Sequence, residues 1–319
     1  MSSDPQLRID TGVVIHGGVG TLPSEDLTSE LEAAFREALE EALVAGHESL
    51  SSGGSSLDAV CAAVRVMEDS PLFNAGRGSN FDERGVVAMD ASVMDGHTLD
   101  AGAVAGVTDV RNPVDLARLL MERSEHLMLI GAGAEAFART MGLAATDPSF
   151  FHTERRWQEL LRERQAGGDR PNVLGPVDPT SRAGTVGAVA RDQEGRLAAA
   201  TSTGGMANKT WGRVGDSPII GAGTYASSLC AVSCTGWGEY FIRHAAAHDV
   251  HARMAYGGDN LHQATQGVIW ETLNAHVSGS GGLVAVDARG HVELCFNTPG
   301  MYRGWVDQEG LKSVSIYSG

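Results

Sequence analysis

The chain has 319 residues, of which 42% are hydrophobic and 20% charged, values typical of a globular protein with a sizeable core. Its formal net charge of −16 disfavours a nucleic acid or an anionic membrane surface as a partner. The four scattered cysteines favour free thiols in a reducing compartment, and the sequence shows neither a secretion signal nor an apolar run that could cross a membrane. We therefore expect a cytoplasmic protein.

The first half of the chain mixes strand and helix patterns. Residues 12–16 form a short apolar run that ends in a glycine turn, which is typical of a buried strand. Residues 24–50 and 56–68 repeat apolar side chains at helical spacing, which predicts two amphipathic helices. Further on, the pattern predicts a strand at residues 86–94 and helices at residues 116–123 and 134–141.

A polar, proline-punctuated segment at about residues 145–184 is interpreted as a surface linker. Residues 184–203 then predict a tight hairpin. The remaining predicted elements are helices at residues 237–254 and 260–277 and strands at residues 282–287, 292–297 and 311–317. This order favours an α/β (α+β) fold with antiparallel strands covered by helices. A four-layer α/β/β/α sandwich would fit, although the pattern alone does not choose it over other mixed folds.

Thr185 follows Gly184 at the start of a predicted strand, immediately after the linker. A threonine hydroxyl is a poor nucleophile unless a base takes its proton, and a free α-amine with a reference pKa of about 7.7 to 8 is a suitable base. Cleavage between Gly184 and Thr185 would create that amine, and a glycine tolerates a strained peptide at the cleavage site. Taken alone, the pair is more simply interpreted as the opening of a strand.

Three neighbouring motifs add the other groups that amide hydrolysis needs. Residues 201–206, TSTGGM, end the second strand of the hairpin, where a threonine hydroxyl could bond the nucleophile. A glycine-punctuated loop carries Arg213 and Asp216, which suit the carboxylate and the ammonium of an amino acid. Thr235 and Gly236 precede a predicted helix and could bind an oxyanion. The structural alternatives are a strand-end turn, a surface ion pair and a helix N-cap.

Eight ordered motifs together resemble one family, the plant-type asparaginases and isoaspartyl aminopeptidases, which are N-terminal nucleophile hydrolases. The similarity covers roughly residues 12–310 without the linker. The motifs are HGGVG, PLFNAGRG, MDASVMDG, GTVGAVA, ATSTGGM, GRVGDSPIIGAGTY, CTGWGE and FNTPGMYRGW.

This resemblance implies specific catalytic roles. Thr185 corresponds to the nucleophile that the chain frees by cutting itself after Gly184, and Thr203 to the threonine that supports it. The oxyanion hole corresponds to Thr235 and the amide of Gly236. Asn74 corresponds to an asparagine that contacts the new amino group.

The resemblance also implies how substrate and a metal ion are held. Arg213 and Asp216 correspond to the residues that hold the substrate's α-carboxylate and α-amine, and the carbonyl of Gly238 adds to the amine site. No organic cofactor is implied. A structural sodium ion is implied in a loop whose ligands are main-chain carbonyls, here those of Met67, Glu68, Ser70, Phe73, Ala75 and Arg77.

For the whole chain, the resemblance implies the four-layer sandwich of N-terminal nucleophile hydrolases. Residues 1–184, with the linker at about 145–184, would form an α subunit after autocleavage, and residues 185–319 a β subunit. The two would remain one folded domain, and two cleaved αβ pairs would form a dimer.

The implied activity is release of L-aspartate from L-asparagine and β-aspartyl dipeptides. Two alternatives stay open, namely cleavage of glycosylated asparagine as in aspartylglucosaminidase, and a homologue that is neither processed nor catalytic. Neither the secretion signal expected of the first nor the loss of site residues expected of the second is present.

Two other patterns imitate functional motifs. Residues 127–136 combine an apolar run with GxGxxA, as dinucleotide-binding folds do, but the acid about 20 positions on, Glu154, lies in the linker. His244, His248 and His251 have a spacing that zinc ligands can show, but the glutamate of a metallohydrolase motif is absent. We interpret these patterns as small-residue helix packing and a polar helix face.

Overall fold

The structure is a computed structural model that describes residues 7–20, 27–167 and 184–317. Within these ranges the strands are β1 (Gly12–Val19), β2 (Met89–Asp95), β3 (Ala101–Val107), β4 (Met128–Ile130), β5 (Val186–Arg191), β6 (Leu197–Thr203), β7 (Thr224–Ala226), β8 (Cys230–Gly236), β9 (Gly281–Asp287), β10 (Val292–Phe296), β11 (Gly300–Asp307) and β12 (Lys312–Tyr317). The α-helices are α1 (Ser29–Ser51), α2 (Ser56–Asp69), α3 (Pro113–Arg123), α4 (Gly131–Thr140), α5 (Glu154–Gly167), α6 (Gly238–His244), α7 (Ala246–Ala252) and α8 (Leu261–Gln266).

The larger sheet of the described residues has eight strands in the order β12-β11-β1-β5-β6-β2-β3-β4. All neighbours are antiparallel except β3 and β4. The predicted hairpin is confirmed as β5 and β6, whose register sets Val186 opposite Ser202. On the other side of β5, Gly187 pairs with His16 of β1. The strand that begins beside Thr185 therefore lies in the middle of the sheet.

Helices α1 to α4 cover one face of the larger sheet, and their apolar faces share a core cluster with it. The predicted helices at 56–68, 116–123 and 134–141 are confirmed within a few residues. Helix α2 begins with a reciprocal capping box between Ser55 and Asp58, which satisfies two otherwise unpaired backbone donors. Helix α3 begins with Pro113, whose missing amide hydrogen costs nothing at this position.

The smaller sheet has four antiparallel strands in the order β10-β9-β8-β7. Helices α6, α7 and α8 pack against it through a second apolar cluster. The helix predicted at residues 237–254 is interrupted, because Ala245 adopts a left-handed conformation with φ of 47° and separates α6 from α7. The helix predicted at 260–277 is α8 followed by a π-helical segment, Gly267–Leu273.

A third apolar cluster lies between the two sheets and takes side chains from both. Alternation along β5 explains how one strand serves two clusters: Val186 and Ala188 face the helices, whereas Val189 faces the smaller sheet. Thr185 and Gly187 share the face of Val189 by the same alternation. The nucleophile candidate therefore points toward the space between the sheets.

Part of the segment interpreted as a linker is a packed helix. Helix α5 buries Leu160 and sets the ring of Trp157 5.3 Å from that of Phe81. Arg156 donates from Nε to the carbonyl of Gly78 at 2.7 Å. The polar composition of this segment reflects arginines that bond loop carbonyls, which a sequence pattern does not distinguish from solvated charges. Residues 168–183 of the predicted linker lie outside the described residues.

Several strands were absent from the sequence-based prediction. Strand β3 reads AGAVAGV, and its small residues show no alternation because both faces are buried. Strands β4, β7, β8 and β11 were missed as well. The strand predicted at 86–94 begins only at Met89. No helix in the described ranges is long and apolar enough to cross a membrane.

Candidate active site

Thr185 is 6% exposed and lies immediately before β5. The register of the hairpin places it beside Thr203, and its hydroxyl donates to the Thr203 hydroxyl at 3.3 Å. Thr203 in turn accepts a hydrogen bond from the amide of Gly205 at 3.0 Å. The structure therefore brings the two predicted threonines together, and Thr203 is held by the turn that follows it.

The peptide between Gly184 and Thr185 lies between the side chain of Asn74 and the backbone of Gly18. A Cβ atom added to Gly184 would lie 2.8 Å from Cβ of Asn74. On the other side, a Cβ atom on Gly18 would lie 2.8 Å from Cα of Gly184 and 3.2 Å from the amide nitrogen of Thr185. Gly18 has a φ of 106°, a conformation that residues with a Cβ rarely adopt. Because neither Gly184 nor Gly18 has a side chain, Asn74 and Gly18 can both lie close to this peptide.

His16 is fully buried behind Thr185. Its Nδ1 lies 3.0 Å from the carbonyl oxygen of Thr185, and its Nε2 lies 2.9 Å from the hydroxyl of Ser233. Burial lowers the pKa of His16 to about 3, and the hydrogen bond to Thr185 only partly opposes this. The imidazole is therefore neutral at physiological pH and cannot supply a positive charge to the site.

The loop between β6 and β7 carries the predicted substrate-binding pair. Arg213 donates from Nε and Nη2 to the two carboxylate oxygens of Glu239, at 2.9 and 2.8 Å. Burial works to lower the pKa of Arg213, but the hydrogen bonds and charge of Glu239 outweigh it and raise that pKa. The guanidinium is thus fixed as a cation, with Nη1 outside this bidentate pair.

Asp216 is 3% exposed, and among the described residues its Oδ2 has no hydrogen-bond partner. Burial raises the pKa of this carboxyl to about 7, although the nearby Arg213 acts in the opposite direction. A buried carboxylate without a donor is costly, and an ammonium group of a ligand would satisfy it.

One cleft joins most of the predicted residues. Its lining includes Asn74, Gly184, Thr185, Thr203, Gly205, Met206, Arg213, Gly215, Asp216, Ser217 and Gly236. Gly238 does not line it directly, but a Cβ atom on Gly238 would lie 2.8 Å from Oδ1 of Asp216 and 2.9 Å from Nη2 of Arg213. The nucleophile candidate, a cation and a carboxylate therefore share one small space.

Thr235 lies at the end of β8 and is fully buried, and its hydroxyl accepts from the amide of Val19 at 3.3 Å. It is not a helix N-cap, because α6 begins at Gly238 with Trp237 in the cap position. The next residue, Gly236, reaches the cleft with a φ of 154°. A hydrogen bond thus joins the HGGVG motif at the end of β1 to the predicted oxyanion residue Thr235.

Asn74 lines the cleft but points its amide at the backbone. Its Nδ2 donates to the carbonyl of Gly205 at 2.8 Å, and its Oδ1 accepts from the amide of Asn80 at 2.8 Å. The predicted contact with a new amino group remains a prediction, because that group exists only after cleavage.

The loop predicted to bind sodium is tightly folded around its own carbonyls. A Cβ atom on Gly76 would lie 2.2 Å from the carbonyl oxygen of Glu68, and one on Gly78 would lie 2.5 Å from that of Phe73. The Glu68 carbonyl also accepts from the amide of Arg77 at 2.6 Å. These contacts show that Gly76 and Gly78 allow the close packing of the loop, and the sodium ion remains a prediction.

The two patterns that imitate a dinucleotide site and a zinc site do not line this cleft. Residues 131–136 begin α4 directly after β4, and Glu135 accepts hydrogen bonds from the amide and hydroxyl of Thr108, both at 2.8 Å. His244 ends α6, whereas His248 and His251 lie on α7, so the three do not share one continuous helix.

The sequence-based interpretation did not assign roles to His16, Gly18, Ser233 or Glu239. The HGGVG motif was a signal for the first two. Glu239 lies three residues after Gly236 in CTGWGE, but its charge there did not indicate which cation it would pair with. Ser233 carried no signal, since a serine inside a strand has no distinctive pattern.

Comparisons with known proteins place the chain in a family. A family model described as asparaginase matches residues 9–316. The isoaspartyl peptidase of Salmonella typhimurium is 52% identical over 307 residues, which cover 96% of this chain and 98% of that protein. The isoaspartyl peptidase of Escherichia coli is 51% identical, with coverages of 96% and 95%. The plant-type L-asparaginase of Pyrococcus abyssi is 42% identical over 304 residues, with coverages of 94% and 97%.

The chain therefore belongs to the asparaginase family of hydrolases, which confirms the resemblance found in the sequence motifs.

Proposed function

We propose that this chain is an autoproteolytically activated amidohydrolase that releases L-aspartate from L-asparagine and from β-aspartyl (isoaspartyl) dipeptides. One observation carries the proposal. The hydroxyl of Thr185 shares a cleft with the guanidinium of Arg213 and with a buried Asp216 carboxylate oxygen that has no partner among the described residues. The names of the relatives, isoaspartyl peptidase and plant-type L-asparaginase, agree with it.

In the activating step, the Thr185 hydroxyl attacks the carbonyl carbon of Gly184. The C–N bond of that peptide breaks, the hydroxyl proton passes to the departing nitrogen, and an ester forms between the two residues. Water then hydrolyses the ester, which frees the Gly184 carboxylate and leaves Thr185 with an α-amine and its hydroxyl. The close contacts that Gly18 and Asn74 make at this peptide support the assignment of the cleavage site.

In turnover, the α-amine of Thr185 takes the hydroxyl proton as the oxygen attacks the side-chain amide or β-peptide carbonyl. Thr203 holds the nucleophile's oxygen, and the hydroxyl of Thr235 with the amide of Gly236 stabilises the oxyanion. The protonated amine then gives its proton to the leaving ammonia or amino acid. Water cleaves the acyl-enzyme and releases aspartate.

Substrate selection follows from charge. Arg213 binds the α-carboxylate, and Asp216 with the Gly238 carbonyl binds the α-ammonium. Asp216 is buried and its Oδ2 has no partner among the described residues, so a substrate without an ammonium group would leave that oxygen unpaired. Arg213 already pairs with Glu239, so a substrate without an α-carboxylate would lose only the additional bond to this cation. We expect α-aspartyl peptides, whose α-carboxylate is in the peptide bond, to be rejected.

At the level of the molecule, we propose the four-layer α/β/β/α sandwich of N-terminal nucleophile hydrolases. Residues 1–184 would form the α subunit and residues 185–319 the β subunit of one domain, and two such pairs would form a dimer in the cytoplasm. No organic cofactor takes part in the scheme. A sodium ion, if bound, would be held by the carbonyls of Met67, Glu68, Ser70, Phe73, Ala75 and Arg77 and would order the loop that carries Asn74.

A substrate panel tests the proposal. We expect aspartate release from L-asparagine and a β-aspartyl dipeptide, and none from the matching α-aspartyl dipeptide. Thr185→Ala should abolish release from both. Preferential cleavage of glycosylasparagine would instead support the aspartylglucosaminidase alternative, and no release from any substrate would support the non-catalytic one.

A further inference from the structure

A row of buried polar side chains crosses the layer between the two sheets. Ser92, Thr201 and His16 come from β2, β6 and β1 of the larger sheet, and Thr224 and Ser233 come from β7 and β8 of the smaller one. All five are 0% exposed. We call these five residues the inter-sheet polar row. Buried polar groups are costly unless they are bonded, so their arrangement calls for an explanation.

The row is continuous at its nucleophile end. Nδ1 of His16 lies 3.0 Å from the carbonyl oxygen of Thr185, Nε2 of His16 lies 2.9 Å from the hydroxyl of Ser233, and Ser233 lies 2.7 Å from the hydroxyl of Thr201. Each contact lies within hydrogen-bond distance.

The same row reaches the substrate loop. The hydroxyl of Thr224 donates to that of Thr201 at 2.6 Å. The hydroxyl of Ser92 has one hydrogen, which it can donate either to the hydroxyl of Thr224 at 2.8 Å or to the carbonyl of Ser217 at 2.6 Å. Ser217 directly follows Asp216 in the loop that lines the cleft.

The direction of these hydrogen bonds is determined at the His16 end. A carbonyl oxygen only accepts, so Nδ1 of His16 must carry the hydrogen. Since burial keeps the ring neutral, Nε2 is an acceptor, and Ser233 must donate to it. Ser233 has then used its hydrogen and accepts from Thr201. The carbonyl of Thr185 thus selects one tautomer of His16, and the hydroxyls of Ser233 and Thr201 are arranged to match it.

The chain makes room for this arrangement beside the nucleophile. A Cβ atom on Gly187 would lie 2.0 Å from the Ser233 hydroxyl and 2.5 Å from Nε2 of His16. Gly187 is two residues after Thr185 and so faces the same side of β5. The absence of a side chain at this position lets the His16–Ser233 bond pass next to the reacting residue.

We propose that Ser233 and Thr201 are positioning residues for amide hydrolysis. Their hydroxyls hold the His16 ring in the Nδ1-protonated form that the Thr185 carbonyl requires, and His16 thereby fixes this carbonyl and the nucleophile that carries it. None of these side chains lines the cleft. The inference rests on the proposed function and adds to it that the nucleophile is oriented by residues outside the cleft.

The test compares two substitutions at Thr201 in the full-length protein. Thr201→Val keeps the shape of the side chain but removes the hydroxyl, whereas Thr201→Ser keeps the hydroxyl but removes the methyl group. Rates are measured on a β-aspartyl dipeptide and normalised to the cleaved fraction by intact mass. We expect Thr201→Val to lower kcat by about tenfold or more with little change in KM, because misplacement of a reacting group costs rate rather than ground-state binding. Thr201→Ser should restore most of kcat.

A matched control removes a buried hydroxyl far from the row. Thr265 is 0% exposed on α8, and its hydroxyl donates to the carbonyl of His262 at 3.1 Å. Thr265→Val should lower thermal stability without lowering kcat.

A second readout is the nitrogen NMR spectrum of the His16 ring, whose signals are identified by their loss in a His16 variant. The Nδ1-protonated signature should dominate in the wild type, and a dominant Nε2-protonated signature would contradict the proposed positioning of Thr185.

The positioning role would be overturned if Thr201→Val kept the wild-type kcat, or if Thr201→Ser lost as much kcat as Thr201→Val. If Thr201→Val does not fold, the pair Thr224→Val and Thr224→Ser applies the same comparison one hydrogen bond further along, with the same criteria. A wild-type chain that neither cleaves nor releases aspartate would instead overturn the proposed function, so the two failures are distinguishable.

Discussion

The buried carboxyl group of Asp216 lowers the stability of the folded protein when it is ionised. Burial raises its pKa to about 7, well above the reference value of 3.8. A carboxyl group whose pKa is raised on folding stabilises the protein fully below the unfolded-state pKa, and this contribution is lost as pH rises through the folded-state pKa. For Asp216 the loss therefore falls between about pH 4 and pH 7. The site keeps the residue because the ionised form can bind an ammonium group.

We predict that Asp216→Asn separates stability from function. At pH 8 the variant should unfold at a higher temperature than the wild type, because it buries no charge. Its KM should rise by about 10- to 100-fold, since a hydrogen bond to a charged group is worth about 1.5–3 kcal/mol. Thermal unfolding and steady-state kinetics on a β-aspartyl dipeptide check both parts. A lower unfolding temperature together with an unchanged KM would contradict this account of Asp216.

At the residue scale, site residues that belong to local sequence motifs were predictable. Partners that lie far away in the sequence were not. Thr185, Thr203, Arg213 and Asp216 stand in recognisable local contexts, and the structure brings them into one cleft. The partner of Arg213, Glu239, lies 26 residues away along the chain. Such a pairing depends on how β8 and α6 fold back on the loop, which no local pattern contains.

At the scale of elements, the irregular end of β1 lies against the peptide before β5. Gly18 has both a positive φ of 106° and a close approach to Gly184. Its conformation alone would cost a residue with a Cβ about 1 kcal/mol or more. A side chain at position 18 would in addition collide with Gly184, at the cleavage site itself.

We predict that Gly18→Ala blocks or strongly slows cleavage before Thr185. The new methyl group would lie 2.8 Å from Cα of Gly184, so the peptide must shift. Gly53→Ala is the matched control, because Gly53 also has a positive φ, of 87°, but has no atom within 4 Å of the added Cβ. The fraction of cleaved chain, followed by intact mass over time, distinguishes the two. Equal cleavage rates in both variants would show that contact at Gly18 does not matter.

Helix α5 is an element whose role the sequence concealed. Arg155 and Arg156 of this helix bond carbonyls of Leu72 and Gly78, which flank the loop that carries Asn74. The composition of the segment is polar, and its single fully buried leucine, Leu160, gives too weak a periodic signal to predict packing. We expect α5 to stay docked after cleavage.

We predict that Leu160→Ala destabilises α5, because the substitution leaves a cavity in the core. If α5 unfolds together with the core, the free energy of unfolding should fall by about 2–5 kcal/mol. Limited proteolysis of the cleaved protein should then cut within residues 154–167, whereas the wild type resists. Leu311→Ala, at a leucine that is 62% exposed, serves as the control. Cutting within α5 in the wild type at the same rate would show that the helix is not docked.

At the scale of the whole molecule, the two sheets meet along a layer that combines an apolar cluster with the inter-sheet polar row. The mixture of helices and hairpins was predictable, because a turn signal at residues 192–195 separates the apolar runs of β5 and β6 and the longer helices have clear periodicity. The division into two sheets was not, since β7, β8 and β11 carry no distinctive pattern and their pairing joins distant segments. This nonlocal pairing is what places the start of β5 beside the substrate loop.

The central claim is that Thr185 becomes an N-terminal nucleophile, and intact mass spectrometry of the wild type and Thr185→Ala, with aspartate release measured in parallel, tests it most directly. The account predicts two wild-type fragments that meet between Gly184 and Thr185, activity that rises as they form, and an unbroken, inactive Thr185→Ala chain. A wild type that hydrolyses β-aspartyl dipeptides while remaining one chain, or a Thr185→Ala variant that retains activity, would contradict it.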